Sequence, residues 1–216
     1  MPPRVGIVVF PGSNCDRDLF YALERAGAIP HYLWHMTTQL PPLQAVFLPG
    51  GFSYGDYLRA GAIARFAPIM RPIEEFWQKG GFVMGICNGF QILVEAGWLP
   101  GALRRNLSGQ FLCTVIPTQL FGPSPLETYL GQRLYRLPIA HGEGRYVPGN
   151  QLPIWGLRYA TSPAPNGSFQ NLAGLGNTEG TLFGLMPHPE RACDPYQGNL
   201  DGLDFLRGIV RYIQSR

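Results

Sequence analysis

The sequence contains no apolar run long enough to span a bilayer and no run of lysine or arginine residues. A membrane-spanning helix needs about 20 consecutive apolar residues, and binding to nucleic acid usually needs clustered positive charge. The net charge is only +3, and residues 1–5 have none of the features of a signal peptide. We therefore expect a cytoplasmic protein that binds neither membranes nor nucleic acid.

Cysteine is scarce, and its spacing excludes the common zinc sites. The four cysteines, Cys15, Cys87, Cys113 and Cys193, are far apart and form no C-x-x-C pair. In a reducing compartment they are predicted to be free thiols, and no metal site is expected. Free cysteine is usually a small core residue, so a reactive one must be recognised from its surroundings.

Neither a linker nor a change in composition divides the 216 residues, so we predict a single domain, residues 1–216. The first half alternates short apolar runs with helical patterns, which favours buried parallel strands. Ser13 or Asn14 is expected to cap the first helix, which Gly27 ends. The predicted strands are 5–10, 31–34, 45–48 and 82–86, and a second helix is predicted over 72–79.

The second half, from Gln110 onward, is richer in strand patterns joined by proline- and glycine-rich loops. Strands are predicted at 111–116, 137–140, 154–159 and 182–186, and a final helix runs through Leu203 and Ile213. We therefore predict an α/β fold with a mostly parallel open sheet, helices on both faces and an antiparallel extension. In such sheets ligands bind beyond the carboxyl ends of the strands.

The strongest local signal is the sequence Gly85-Ile86-Cys87-Asn88-Gly89, which lies between a predicted strand and a predicted helix. In this G-x-C-x-G elbow the nucleophile occupies a strained turn, and the two glycines avoid collisions across it. The helix N-terminus stabilises a thiolate, and the Asn88 N–H can bind a developing oxyanion. Cys87 is therefore the predicted nucleophile.

A cysteine nucleophile needs a base, and His188 has the best surroundings of the four histidines. It follows a predicted strand in Met186-Pro187-His188-Pro189-Glu190, and proline holds the residue before it in an extended conformation. Side chains two residues apart in an extended segment point the same way, which places Glu190 beside His188. Cys87, His188 and Glu190 thus form the predicted triad.

Two glycine-containing loops also follow predicted strands. Gly51 can bring a backbone N–H close to a substrate and complete an oxyanion hole, although an ordinary turn explains the Gly-Gly pair equally well. The sequence His141-Gly142-Glu143-Gly144-Arg145 concentrates charge among glycines. It is interpreted either as part of a polar substrate site or as a polar loop.

Several longer segments resemble the class I, or triad, glutamine amidotransferase family. Within that family the resemblance narrows to the glutaminases that serve formylglycinamide ribonucleotide synthetases in purine synthesis. It covers nearly the whole chain and is weakest around residues 121–132. The segments that carry it are Pro11-Gly12-Ser13-Asn14-Cys15-Asp16, Gly50-Gly51-Phe52-Ser53-Tyr54-Gly55-Asp56-Tyr57, Gly85-Ile86-Cys87-Asn88-Gly89-Phe90-Gln91, His141-Gly142-Glu143-Gly144-Arg145-Tyr146 and Met186-Pro187-His188-Pro189-Glu190-Arg191.

The resemblance implies glutamine hydrolysis to glutamate and ammonia through a thioester on Cys87. His188 would protonate the departing ammonia and then activate water, and Glu190 would orient the imidazole. By the same resemblance Gly51 and Asn88 supply oxyanion N–H groups. The residues implied to lie near the bound glutamine are Gln91, Gly142 and Glu143.

The family also implies a division of labour between chains. No G-x-x-x-x-G-K-[ST] loop occurs, and the one lysine, Lys79, precedes only Gly80 and Gly81. We therefore expect no cofactor in this chain, with ATP and Mg²⁺ used by a partner. The implied partners are a large formylglycinamide ribonucleotide synthetase subunit and a third small subunit.

Two alternatives remain at the level of sequence. The first is another thiol amidase of the same architecture, either a γ-glutamyl hydrolase or an amidotransferase that serves a different synthetase, because a different partner would not change the triad. The second is a non-catalytic or redox-sensing thiol module that uses Cys87 without hydrolysis. The discriminating observations are hydrolysis of free glutamine and an increase in its rate when the formylglycinamide ribonucleotide synthetase is added.

Overall fold

The computed structural model describes all residues, 1–216. The five helices are α1 (Asp16–Arg25), α2 (Met70–Gln78), α3 (Asn88–Glu95), α4 (Glu127–Leu130) and α5 (Asp201–Gln214). The eleven strands are β1 (Arg4–Val9), β2 (Ile29–Trp34), β3 (Ala45–Leu48), β4 (Phe82–Ile86), β5 (Ala102–Arg104), β6 (Leu112–Phe121), β7 (Tyr135–His141), β8 (Arg145–Val147), β9 (Gly156–Tyr159), β10 (Leu172–Gly176) and β11 (Leu182–Leu185).

Nine strands form one sheet in the order β2-β1-β3-β4-β11-β10-β9-β6-β7, and β5 and β8 form a separate pair. The strands from β2 to β11 in this order are parallel, and those from β11 to β7 are antiparallel. This arrangement confirms the predicted mostly parallel sheet with an antiparallel extension. The site described below lies at the carboxyl ends of β4 and β11.

Helices cover both faces of the sheet, as neighbouring residues of β11 show. The Phe183 ring stacks on Phe205 of α5, whereas a Cβ on Gly184 would collide with the Phe90 ring of α3. Successive side chains of a strand point to opposite faces, so α5 and α3 lie on opposite sides. Burial on both faces explains why β3, β4 and β11 consist of buried residues throughout.

Some elements differ from the predictions. The strand β10 and the short elements β5, β8 and α4 were not predicted, and β6 continues to Phe121 instead of ending at Ile116. Glycine disfavours strands, yet β10 contains Gly174 and Gly176 because larger residues do not fit. A Cβ on Gly176 would overlap the Trp155 ring.

The predicted cap of α1 was also wrong. Its N-cap is Cys15, and no side chain caps the helix. Ser13 instead forms an isolated bridge with Gly51, and the Asn14 Oδ1 atom accepts a hydrogen bond from the Cys15 thiol at 3.3 Å. None of the helices has the length and apolar character needed to cross a bilayer.

Candidate active site

Cys87 occupies the predicted elbow between β4 and α3. Its backbone has φ 49° and ψ −105°, a conformation that is rare outside glycine and is typical of functional sites. A Cβ on Gly85 would lie 2.6 Å from the backbone of Gly89, and a Cβ on Gly89 would collide with the Leu48 carbonyl of β3. The first glycine therefore avoids a collision across the turn, and the second lets α3 approach the neighbouring strand.

The pairing of β4 with β11 brings the distant histidine to this elbow. Leu185 is paired with Ile86 in parallel register, and the Cys87 N–H donates to the Leu185 carbonyl at 2.7 Å. His188 follows Leu185 by three residues, and both Cys87 and His188 line the same cavity. The structure thus brings the predicted nucleophile and base together.

His188 and Glu190 form a buried pair. Their side chains are 2% and 0% exposed, and His188 Nδ1 lies 2.6 Å from Glu190 Oε1. Burial by itself lowers the pKa of His188, but the negative charges of Glu190 and Cys87 outweigh it and raise the pKa well above its ordinary value. The short contact with Glu190 and the raised pKa both favour an imidazolium ion, whose Nε2 has no hydrogen-bond partner within the chain.

The extended conformation predicted for this segment is correct for His188 and wrong for Glu190. His188 is extended, with φ −107° and ψ 86°, but Pro189–Arg191 is a turn of 3₁₀ helix. Glu190 therefore reaches His188 from a tight turn and not from a continuing extended segment. The His188 N–H donates to the Pro138 carbonyl of β7 at 2.7 Å, which fixes the backbone of the base.

A cavity of about 430 Å³ opens above Cys87 and His188. This volume lies in the range of small-molecule sites. Besides Cys87 and His188, four of the predicted site residues line it, namely Gly51, Gln91, Gly142 and Glu143. Glu190 and Asn88 are not among the residues that line the cavity, and both are buried, at 2% and 1% exposure.

The two predicted oxyanion donors have suitable backbones. Gly51 has φ 133°, a conformation reserved for glycine, and its N–H has no acceptor within the chain. The Asn88 N–H belongs to the first turn of α3, where N–H groups have no intrahelical partner. Both groups remain predicted donors, since only a bound substrate provides the oxygen that they would contact.

The Asn88 side chain connects the elbow to the neighbouring loops. Its Oδ1 accepts the Ser53 N–H at 3.1 Å, and its Nδ2 donates to Asp56 Oδ1 at 3.1 Å and to Gln91 Oε1 at 3.0 Å. Gln91 Nε2 in turn donates to the Glu143 carbonyl at 2.7 Å. This network joins the loop after β3, the helix α3 and the loop after β7 into one wall of the cavity.

The loop after β3 is strained where it meets this wall. Tyr54, Asp56 and Leu58 have φ values of 53°, 52° and 69°, which are uncommon for residues with side chains. Asp56 lines the cavity, and burial together with the negative charge of Glu143 raises its pKa to about 6. Asp56 belongs to the motif over residues 50–57, but no role was predicted for it from the sequence.

His141 is a second histidine of the cavity that sequence reasoning did not select. Asn106 Nδ2 donates to the carbonyls of Gln110 and His141, so its Oδ1 must accept the hydrogen bond of 3.1 Å from His141 Nδ1. Burial and the charge of His188 lower the pKa of His141 to about 4. The ring is therefore neutral, and its unpartnered Nε2 is an acceptor.

Cys15 and Arg191 lie next to the triad, and neither was predicted to do so. The Arg191 guanidinium donates to Cys15 Sγ at 2.9 Å. Cys15 Sγ and the ligand atoms of His188 and Glu190 all lie within 4.8 Å of one another. A cation is disfavoured among them because the histidine and carboxylate bind each other and the arginine is positively charged.

Gly50 lies close to His188 and Cys15 because it has no side chain. A Cβ at this position would lie 2.7 Å from His188 Cε1 and 3.2 Å from Cys15 Sγ. Only glycine therefore allows the end of β3 to approach the imidazole. From the sequence alone the Gly50-Gly51 pair fits either an ordinary turn or part of the active site. In the structure Gly50 leaves room for the His188 ring, and Gly51 lines the cavity.

Comparison with known proteins gives a consistent result. Residues 2–153 and 157–203 match the CobB/CobQ-like glutamine amidotransferase domain family. The phosphoribosylformylglycinamidine synthase subunit PurQ of Parasynechococcus marenigrum is 50% identical over 216 residues, which cover 95% of this chain and 99% of the relative. The same subunit of Thermus thermophilus is 46% identical and covers 97% of this chain and 99% of the relative.

Solved structures agree with these matches. The structure of PurLQS from Thermotoga maritima contains a chain that is 44% identical, with a TM-score of 0.91 over 98% of this chain and 99% of that chain. Another glutamine amidotransferase from Thermotoga maritima is 17% identical, with a TM-score of 0.61 over 100% of this chain and 98% of that chain. The second similarity is evidence of a shared fold alone.

Proposed function

The chain belongs to the CobB/CobQ-like glutamine amidotransferase domain family, and from this premise we propose that it is the glutaminase subunit of a phosphoribosylformylglycinamidine synthase. The observation that carries the proposal is the cavity in which Cys87 lies beside the buried pair of His188 and Glu190. Relatives that are 46–51% identical over nearly their whole length are subunits of this synthase. The product of this chain is ammonia for the synthase reaction.

In the proposed first step the Cys87 thiolate attacks the carboxamide carbon of glutamine. The carbonyl oxygen becomes an oxyanion, which the N–H groups of Gly51 and Asn88 stabilise. The C–N bond then breaks, and the His188 imidazolium donates its proton to the departing nitrogen. Ammonia leaves, and a γ-glutamyl thioester remains on Cys87.

In the second step the neutral His188 accepts a proton from water, and the resulting hydroxide attacks the thioester carbon. The C–S bond breaks, which restores the thiolate of Cys87 and releases the product, whose new γ-carboxyl group loses its proton to the solvent to give glutamate. The proton remains on His188, so the ion pair is ready for another cycle. Throughout both steps Glu190 holds the Nδ1–H of the imidazole and stabilises its positive charge.

The ammonia is used by a separate synthetase in this proposal. A large synthetase subunit, together with a third small subunit, converts formylglycinamide ribonucleotide to the amidine. That subunit uses ATP and Mg²⁺, whereas this chain needs no cofactor for the two steps above. We place the reaction in the cytoplasm, where the synthetase and its substrates meet.

A reconstituted complex tests the proposal. Formation of the amidine is measured with glutamine and, separately, with ammonium chloride as the nitrogen source. Cys87→Ser should abolish glutamine-dependent synthesis while ammonia-dependent synthesis continues. The matched control is Cys193→Ser, because the Cys193 thiol donates to the Pro189 carbonyl and a hydroxyl preserves that donor. The control should retain both activities.

Two outcomes would contradict the proposal. A wild-type complex that uses only free ammonia would show that this chain supplies none. A chain that cleaves γ-glutamyl peptides but leaves free glutamine intact would be a γ-glutamyl hydrolase instead.

A further inference from the structure

Arg191 is the only lysine or arginine residue that lines the active-site cavity. It follows Glu190 directly, at the end of the 3₁₀ turn over Pro189–Arg191, and it is half-buried. Its guanidinium makes one hydrogen bond within the chain, to Cys15 Sγ at 2.9 Å. The positive charge is therefore held at the cavity without a direct ion pair to a carboxylate.

Cys15 holds this guanidinium next to the triad. The Cys15 thiol is 1% exposed and donates to Asn14 Oδ1 at 3.3 Å, so its sulfur is free to accept from Arg191. The Sγ atom and the ligand atoms of His188 and Glu190 all lie within 4.8 Å of one another. A single sulfur atom thus lies between the arginine and the buried pair.

The proposed mechanism leaves the triad with one net negative charge. In the resting site the thiolate of Cys87 and the carboxylate of Glu190 face only one positive charge, on His188. In the tetrahedral intermediate an oxyanion replaces the thiolate, and in the thioester both Cys87 and His188 are neutral, so the net charge is the same at each stage. A net charge is unfavourable in a buried site unless it is compensated. One permanent positive charge would neutralise the site throughout the cycle.

We propose that Arg191 is this charge, a positioning residue that keeps the Cys87–His188 pair ionised and is anchored by Cys15. The inference rests on the proposed glutaminase function and adds a fourth charged side chain to the triad. Arginine suits the role because its guanidinium stays charged in proteins. Burial lowers the pKa of Arg191, but Cys15, Glu190 and Cys87 together raise it above its ordinary value.

The other titratable groups near Arg191 do not replace it. Asp18 at the start of α1 is exposed, so solvent screens its charge. On the two elements that pack against the turn, α5 and β7, charged residues pair with one another, Asp201 with Arg136 and Asp204 with Arg207. The remaining titratable residues that line the cavity are Asp56, Cys113, His141 and Glu143. None of them is a cation at neutral pH, because burial and the charge of His188 lower the pKa of His141 to about 4.

The test measures the ionisation of Cys87 without a substrate. Iodoacetamide is a neutral electrophile that alkylates a thiolate with loss of iodide, and peptide mass spectrometry separates Cys87 from the exposed Cys113. The alkylation rate of the full chain is followed between about pH 4 and 9, which includes the pKa values of cysteines beside a cation. Arg191→Gln removes the charge and keeps a donor, whereas Arg191→Lys keeps the charge. Arg71→Gln is the control, since Arg71 is 87% exposed on α2.

Arg191→Gln should move the acidic limb of the alkylation profile upward by about one pH unit, because a nearby positive charge favours the thiolate. Below the limb, alkylation should then be about 10-fold slower. The profile of kcat for glutamine hydrolysis by the assembled complex should move in the same way. Cys15→Ala, which removes the anchor, should move the limb in the same direction. Arg191→Lys should keep the wild-type profile, as should Arg71→Gln, and urea unfolding verifies that each variant is folded.

An acidic limb that stays in place in Arg191→Gln and Cys15→Ala would overturn the inference, and a rise in KM alone would assign Arg191 to substrate contact instead. An equal shift in Arg191→Lys and Arg191→Gln would also overturn it, since the charge would then be irrelevant. A wild-type complex that fails to hydrolyse glutamine, although alkylation of Cys87 depends on Arg191, would refute the proposed glutaminase function alone. The two failures are therefore distinguishable.

Discussion

Glu190→Gln removes the charge of the buried carboxylate and keeps its shape. The glutamine side-chain oxygen can still accept the His188 Nδ1–H, which lies 2.6 Å from Glu190 Oε1 in the wild-type protein. Burial then acts on His188 without a compensating charge from Glu190, and its pKa should fall. At neutral pH the imidazole becomes neutral and has no proton to donate to the departing ammonia.

Two magnitudes follow from this change. Loss of general acid catalysis should lower kcat for glutamine hydrolysis by about 10²- to 10⁴-fold, and the alkaline limb of the pH profile should move to lower pH. The free energy of unfolding should decrease by about 1–1.5 kcal/mol at pH 6, because a hydrogen bond between charged groups is replaced by a weaker neutral one.

The pH dependence of stability has a definite sign. The pKa of His188 is about 6.5 in the unfolded chain and well above that value in the folded protein. The contribution of the pair to stability is therefore fully present below about pH 6.5 and is lost as the pH rises through the folded-state pKa. The difference between wild type and variant should shrink in alkaline solution.

The assays are glutamine hydrolysis by the assembled complex between about pH 5.5 and 9.5, a range that extends well above the ordinary histidine pKa of about 6.5, and urea unfolding of the chain near the two ends of that range. Glu179→Gln is the control, because Glu179 is exposed and hydrogen-bonded only to Asn177. An alkaline limb that stays in place in Glu190→Gln would refute the reasoning, as would a stability difference that does not change with pH.

Three further substitutions test the scaffold by urea unfolding. Gly85→Ala should destabilise the fold by about 1–3 kcal/mol or more, because its Cβ would lie 2.6 Å from backbone atoms across the elbow. The control Gly149→Ala should be nearly neutral, because its Cβ would make ordinary contacts at 3.6 Å. Equal losses of stability in the two variants would contradict the clash at Gly85. Phe183→Ala should cost about 3–5 kcal/mol, since this ring is fully buried between two aromatic side chains, and a cost below about 1 kcal/mol would argue against that packing. Asp201→Asn should destabilise the fold by about 1 kcal/mol or less for each arginine pair, because the side chains of Arg133 and Arg136 are 46% and 65% exposed. The loss should decline with added salt.

The parallel half of the sheet could be predicted almost residue by residue. The strands predicted at 45–48 and 82–86 coincide with β3 and β4, because these segments are buried on both faces and carry uninterrupted apolar side chains. The antiparallel half was harder. Glycine-rich β10 has a low strand propensity, and its glycines are required by Trp155 and β11, which lie elsewhere in the sequence.

The sequence by itself determined the local geometry of the nucleophile, because an elbow depends on residues within a few positions of Cys87. It also paired His188 with Glu190, although it assigned an extended conformation where Pro189–Arg191 forms a 3₁₀ turn. Both features are properties of short segments, in which backbone sterics and the spacing of side chains decide the outcome.

Only the tertiary structure decided which other side chains share the site. Cys15 reaches the triad from the start of α1, Asp56 from the strained loop after β3, and His141 from the end of β7. Their positions depend on sheet order and register, such as the pairing of Leu185 with Ile86. Contacts between segments far apart in the chain arise from the packing of the whole sheet, which no short pattern of residues specifies.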